Sequence, residues 1–129
     1  MPKIKIEGNH ELSGTITVGG AKNSVVALIP AAILCDETVT ISNVPNITDV
    51  DDLEKILLHL NAKIERSPGT VVINSSDIIN KEITQELSKK LRASYYFMGA
   101  LLGKFNRVDM YFPGGCAIGA RPINLHLKG

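Results

Sequence analysis

Apolar side chains at Val50, Leu53, Ile56, Leu57 and Leu60 recur at steps of three and four, while Asp51, Asp52, Glu54 and Lys55 occupy the positions between them. That spacing predicts an amphipathic helix with one buried face. Asn43-Val44-Pro45-Asn46 ahead of it reads as a turn, and Thr48 or Asp49 offers a side-chain oxygen to cap the first turn. The acids near its start suit the positive end of the helix dipole, so they are read as helix-starting residues and not as a catalytic carboxylate pair. His59 is read as structural in the same way. A longer periodic stretch, Gln85 to Leu102, carries Leu87, Leu91, Tyr95, Met98 and Leu102 on one stripe and predicts a second helix.

Alternating stretches predict strands at Lys3 to Ile6, Thr15 to Val18, Thr38 to Ile41, Lys63 to Arg66, Val71 to Asn74 and Arg107 to Phe112. Ser67-Pro68-Gly69-Thr70 has the composition of a hairpin turn joining two of them. After Gly19-Gly20, Lys22-Asn23-Ser24 precede an apolar run, and Asn23 or Ser24 is placed to cap a helix there. Pro30 lies inside that run and predicts a kink costing about 3 kcal/mol unless the helix begins late. The order of elements is that of a mixed α/β (α+β) protein.

The chain has 129 residues, 44% of them hydrophobic and 21% charged, which is one domain's worth of ordinary globular composition. Fourteen basic against thirteen acidic residues leave a formal charge of +1, so no global field recruits nucleic acid or an anionic membrane, and any anion site must be local. The apolar run Val25 to Leu34 is too short for a membrane span and the N-terminus lacks a signal-peptide pattern, so a cytoplasmic protein is expected. Tyr95-Tyr96-Phe97-Met98 is read as core packing, since aromatics make up only 5% of the chain and no base-stacking platform is suggested. Cys35 and Cys116 are too few for a disulfide framework and are expected reduced. Cys35 closes Ala31-Ala32-Ile33-Leu34 and is expected to be a small buried hydrophobe. Neither cysteine shares a ligand spacing with His10, His59 or His126, so no metal and no cofactor is expected.

Pro113-Gly114-Gly115-Cys116-Ala117-Ile118-Gly119-Ala120-Arg121-Pro122 sets a thiol and a guanidinium among three glycines. Such a segment permits close backbone approach to a ligand, and a thiol near a cation or anion gains usefulness as proton donor or nucleophile. Two readings stay open: a mobile, anion-facing cysteine loop, or a glycine-rich turn with an incidental cysteine. Gly14 and Gly19 have the spacing of a phosphate-binding P-loop, but Gly20 stands where its lysine belongs. Lys22 beside a helix start is either a phosphate holder or a solvated surface lysine. Arg92, close to the apolar stripe, either meets an anion or snorkels to solvent. A Cys116–His126 hydrolase dyad is a weak further alternative.

Taken in order, Gly20-Ala21-Lys22-Asn23, Leu91-Arg92-Ala93-Ser94 and the Pro113 to Pro122 segment resemble the bacterial UDP-N-acetylglucosamine enolpyruvyl transferases. The resemblance extends over essentially the whole chain, and Lys22-Asn23-Ser24 and Arg92-Ala93-Ser94-Tyr95-Tyr96 look closer to the second copy carried by some Gram-positive bacteria. It implies the enolpyruvyl transferase fold, two globular domains built of repeated βαβαββ units, of which this chain matches only an N-terminal part. Residues 1–20 would then be strands that pack with the second, absent domain, and residues 21–129 a partial first domain carrying the cysteine loop.

The activity implied is transfer of the enolpyruvyl group of phosphoenolpyruvate to the 3-hydroxyl of UDP-N-acetylglucosamine with release of phosphate, the first committed step of peptidoglycan synthesis. Cys116 matches the family's proton donor, the position alkylated by fosfomycin. Lys22, Asn23 and Arg121 match phosphoenolpyruvate-binding residues. Arg92, Arg121, Pro122, Ile123, Asn124 and Leu125 match nucleotide-sugar contacts. Asn124 departs from the pattern, since an amide replaces the usual aspartate and can donate as well as accept. The family's aspartate base and a further arginine lie beyond this stretch, so the remainder of the polypeptide is the expected partner and the piece alone is not expected to turn over. The alternative is a non-catalytic nucleotide-sugar-binding or regulatory fragment. The related phosphoshikimate transferases are disfavoured because they do not carry the Pro-Gly-Gly-Cys segment.

Overall fold

The computed structural model describes residues 2–90, 92–112 and 122–129. Helix α1 (Lys22–Ala31) runs into a tight 3-10 turn (Ala32–Leu34), then strand β1 (Thr38–Ser42), helix α2 (Thr48–His59) and the hairpin β2 (Lys63–Ser67) and β3 (Thr70–Asn74). Helix α3 (Gln85–Lys90), a 3-10 turn (Arg92–Tyr95), helix α4 (Tyr96–Phe105) and the short α5 (Asn124–Lys128) complete the described elements. The three strands form one antiparallel sheet in the order β1-β3-β2, with Val39 and Ile64 both opposite Ile73.

One core unites these pieces. Val50, Leu53, Ile56 and Leu57 of α2, with Leu60 just after it, lose all solvent contact, as the three-and-four spacing predicts. They join Ile29 and Ile33 from the first helical stretch, Val71 and Ile73 from the central strand, and Phe97 and Leu101 from α4. Helix α1 packs on both α2 and α4, so its first turn is fixed against the β1–α2 connection while its flank holds the second half of the chain.

Several expectations are corrected. Neither Asn23 nor Ser24 caps α1: the helix already begins at Lys22, with Ala21 as an extended cap that supplies no side-chain bond. Likewise Ile47, not Thr48 or Asp49, precedes α2, and those two polar residues lie inside its first turn. Pro30 sits within α1 one residue from its end, where the chain tightens immediately into the 3-10 turn, so the lost hydrogen bond falls where the helix is stopping anyway. Cys35 is exposed, because Ala32 and Ile33 take the buried positions of the tight turn and the chain then swings outward.

The single helix expected over Gln85 to Leu102 is broken into α3, a 3-10 turn and α4. The Ser94 hydroxyl donates to the Ser88 carbonyl at 3.3 Å inside the core, taking an acceptor that a continuous helix would give to the backbone four residues on. Residues 107–112 form one parallel bridge, Ile83 with Met110, in place of the expected strand, because among the described residues only Ile83 pairs with them.

Residues 3–6 and 15–18 are not strands either. No described strand runs beside them to complete a hydrogen-bond ladder, and Ile4, Ile6, Leu12, Ile16 and Val18 project almost wholly into solvent. The later elements of a βαβαββ unit are therefore present in order, without a paired first strand.

Candidate functional site at the start of the first helix

Gly20 delivers the chain to α1 under tight constraint. A side-chain carbon on it would stand 1.7 Å from the Asn43 carbonyl oxygen, so only glycine allows this approach. Asn43 itself is left-handed (φ 54°), and the next residue, Val44, donates its N–H to the Gly69 carbonyl at 2.9 Å. The contact thus rests on a connection already tied to the hairpin. A cleft of about 190 Å³ opens here, lined by Gly20, Ala21, Ser24, Ile41 and Asn43 among others.

Lys22 is the first helical residue, and its ammonium lies 2.8 Å from Asp49 Oδ1 in the first turn of α2. Asn23 follows it on the exposed side of the turn. With no side-chain cap on Ala21, the first N–H groups of α1 are open to an acceptor from outside, the arrangement by which a helix start holds a phosphate or carboxylate.

A second group forms around Arg92. The turn carrying it also carries Tyr95, whose ring meets His126 of α5 edge-on, centroids 5.3 Å apart, and stacks on Tyr96 at 4.6 Å. The Tyr95 phenol is pushed above its ordinary value, chiefly by its hydrogen bond with Tyr96 and then by burial, against the opposing pull of the Arg92 charge. Through this contact the Arg92 turn is joined to the segment holding Pro122, Ile123, Asn124 and Leu125. Ile123 is buried, whereas Pro122, Asn124 and Leu125 face solvent. Cys116 and Arg121 lie outside the described residues.

Elsewhere the charges serve the fold. A larger cleft, about 450 Å³, runs along Asn46, Arg66 and Pro68, but Arg66 is already engaged by Asp51, by Glu54 at 3.5 Å and by Asn46 at 3.3 Å. Its guanidinium is held further above its ordinary value, first by the Asp51 hydrogen bond. His59 Nε2 donates to the Glu82 carbonyl at 2.7 Å, which agrees with its structural reading. Among the described residues no group of three or more His, Cys, Asp or Glu could hold a metal ion.

Sequence reasoning missed the part of Asp49, read only as a possible helix cap, because nothing in the local pattern points to a lysine so far away in the chain. It missed Tyr95–His126 for the same reason. The dense glycines at 19 and 20 were the one available signal for the close approach at Asn43.

The arrangement of an anion-ready helix start beside an α/β sheet fits what comparison with known proteins gives. The chain belongs to the EPSP synthase (3-phosphoshikimate 1-carboxyvinyltransferase) family, whose profile matches residues 6–129. Within that class it is similar over its whole length to proteins named UDP-N-acetylglucosamine 1-carboxyvinyltransferase 2. It is 48% identical to that of Oceanobacillus iheyensis, 51% to that of Lactiplantibacillus plantarum and 43% to that of Bacillus subtilis. The chain spans about 30% of the length of each. Among solved structures, the enolpyruvyl transferase NikO from Streptomyces tendae superposes with a TM-score of 0.66 at 26% identity, covering 76% of this chain and 23% of that one. No helix among the described residues is long and apolar enough to cross a membrane.

Proposed function

We propose that the whole protein transfers the enolpyruvyl group of phosphoenolpyruvate to the 3-hydroxyl of UDP-N-acetylglucosamine and releases phosphate, in the cytoplasm, as the first committed step of peptidoglycan synthesis. The observation that carries this reading is the Lys22 ammonium at an uncapped helix start, in a chain whose near relatives bear the name of that activity. Addition needs the sugar oxygen to attack carbon 2 of the enol while carbon 3 takes a proton; elimination then returns that proton and expels phosphate. The donor substrate is a trianion, so fixed positive groups and oriented N–H donors are the principal source of stabilisation.

In this reading Cys116 donates the proton to carbon 3. Lys22 and Arg121 neutralise the phosphate and carboxylate, and Asn23 lies between the two substrates. Arg92 and residues 121–125 hold the nucleotide sugar, with Asn124 supplying an amide contact. The sugar hydroxyl's base comes from the remainder of the polypeptide. The test is phosphate release by the whole protein, expected only when both substrates are present. Binding of the nucleotide sugar without any release would overturn the enzymatic reading in favour of a non-catalytic one.

Residues 1–20 are proposed to pair with that remainder as strands. The support is their alternation of apolar side chains, Ile16 for instance 90% exposed, with nothing among the described residues to cover them. In the whole protein, amide hydrogen exchange at residues 3–6 and 15–18 should be slow. Exchange as fast as in an unstructured peptide would contradict the pairing.

A further inference from the structure

We infer that Asp49 is the positioning residue for Lys22, so that the β1–α2 connection, and not α1 alone, sets where the ammonium meets an anionic substrate; this deepens the reading above and rests on it. Four rotatable bonds separate a lysine ammonium from its backbone, and an unrestrained one loses that freedom only when the substrate arrives. Here the restraint is present beforehand: Asp49 Oδ1 holds Nζ at 2.8 Å.

The two partners differ in a way that suits the task. The Asp49 side chain is only 18% exposed and stands in the first turn of α2, where the helix dipole favours a carboxylate. The Lys22 side chain is 57% exposed, so its ammonium remains approachable. The ion pair with Asp49 leaves N–H donors of the ammonium for a phosphate or carboxylate oxygen.

Other lysine pairs in the described residues lack this combination. Lys63–Asp77 and Lys104–Asp36 also join distant parts of the chain, but their carboxylates are 59% and 89% exposed. Lys55–Asp52 and Lys90–Glu86 are local pairs along one helix. The Gly20–Asn43 contact then fixes the backbone of the same first turn from the other side. Backbone and head group are both referred to the segment between β1 and α2, which preorganises the site.

The experiment compares Asp49→Ala with wild type in the whole protein and repeats the substitution in a Lys22→Ala background. Asp49→Ala is expected to raise KM for phosphoenolpyruvate about tenfold while KM for UDP-N-acetylglucosamine moves less than about twofold and the melting temperature holds. In the Lys22→Ala background the same substitution should add nothing. Equal shifts in both KM values, or the same loss in both backgrounds, would make Asp49 a structural residue and overturn the inference. A readout independent of turnover is the ¹⁵N signal of the Lys22 ammonium, restrained in wild type and mobile in Asp49→Ala. If the wild type releases no phosphate yet shows the restrained ammonium, the pairing stands and the enzymatic reading fails. An ammonium equally mobile in both proteins overturns the pairing whatever the activity.

Discussion

Cys116→Ala should lower turnover of the whole protein by about 10²–10⁴-fold, the usual contribution of a positioned general acid. Cys116→Asp should retain measurable activity, because a carboxylic acid can deliver the same proton to carbon 3. The two variants separate chemistry from shape. If Cys116 merely filled space among Gly114, Gly115 and Gly119, alanine would be the milder change and aspartate, larger and charged, the more harmful one. KM for each substrate should stay close to wild type in Cys116→Ala, since the thiol neither neutralises the phosphate nor holds the uridine. The check is steady-state phosphate release by the two variants side by side, and equal activity would argue against the donor role. Loss of inactivation by an epoxide reagent in both variants would locate the alkylated thiol at the same position.

Gly20→Ala should lower kcat/KM by about 10²-fold, because a displacement of the order of an ångström at a reacting group carries a penalty of that size. The added carbon would stand 1.7 Å from the Asn43 carbonyl oxygen and 2.9 Å from its carbon. Backbone cannot swing aside as a flexible side chain can, and this stretch is pinned by the Val44 N–H bond to Gly69. The start of α1 therefore has to move instead, carrying Lys22 away from Asp49 and turning the open N–H groups off their line. The strain itself should cost about 1–3 kcal/mol of stability, the range for forced overpacking. Kinetics and denaturant unfolding together decide the matter. Wild-type values in both would show that Gly20 is not pressed against Asn43.

What could be read from the residues follows from how local each signal is. The face Val50-Leu53-Ile56-Leu57-Leu60 needs only its own period to declare a buried helix, and the hairpin at Ser67 to Thr70 needs only its turn composition. Where a neighbour distant in sequence decides the outcome, the pattern misleads. Residues 15–18 alternate as a strand should, but a strand exists only when another lies beside it. The stripe from Leu87 to Leu102 promises one helix, while the buried Ser94–Ser88 bond breaks it. The same division runs through the site. Lys22 and Arg92 were visible as residues matching a family motif, and a lysine at a helix start has a local meaning. The Lys22–Asp49 pair and the Tyr95–His126 contact join separate elements, so they become visible only once the chain is folded.

The most direct measurement offers the whole protein phosphoenolpyruvate with either UDP-N-acetylglucosamine or shikimate 3-phosphate, follows phosphate release, and identifies the acceptor product by mass. Release with the nucleotide sugar alone, accompanied by its enolpyruvyl ether, is the predicted result. Release with shikimate 3-phosphate instead, or with neither acceptor, would contradict the account.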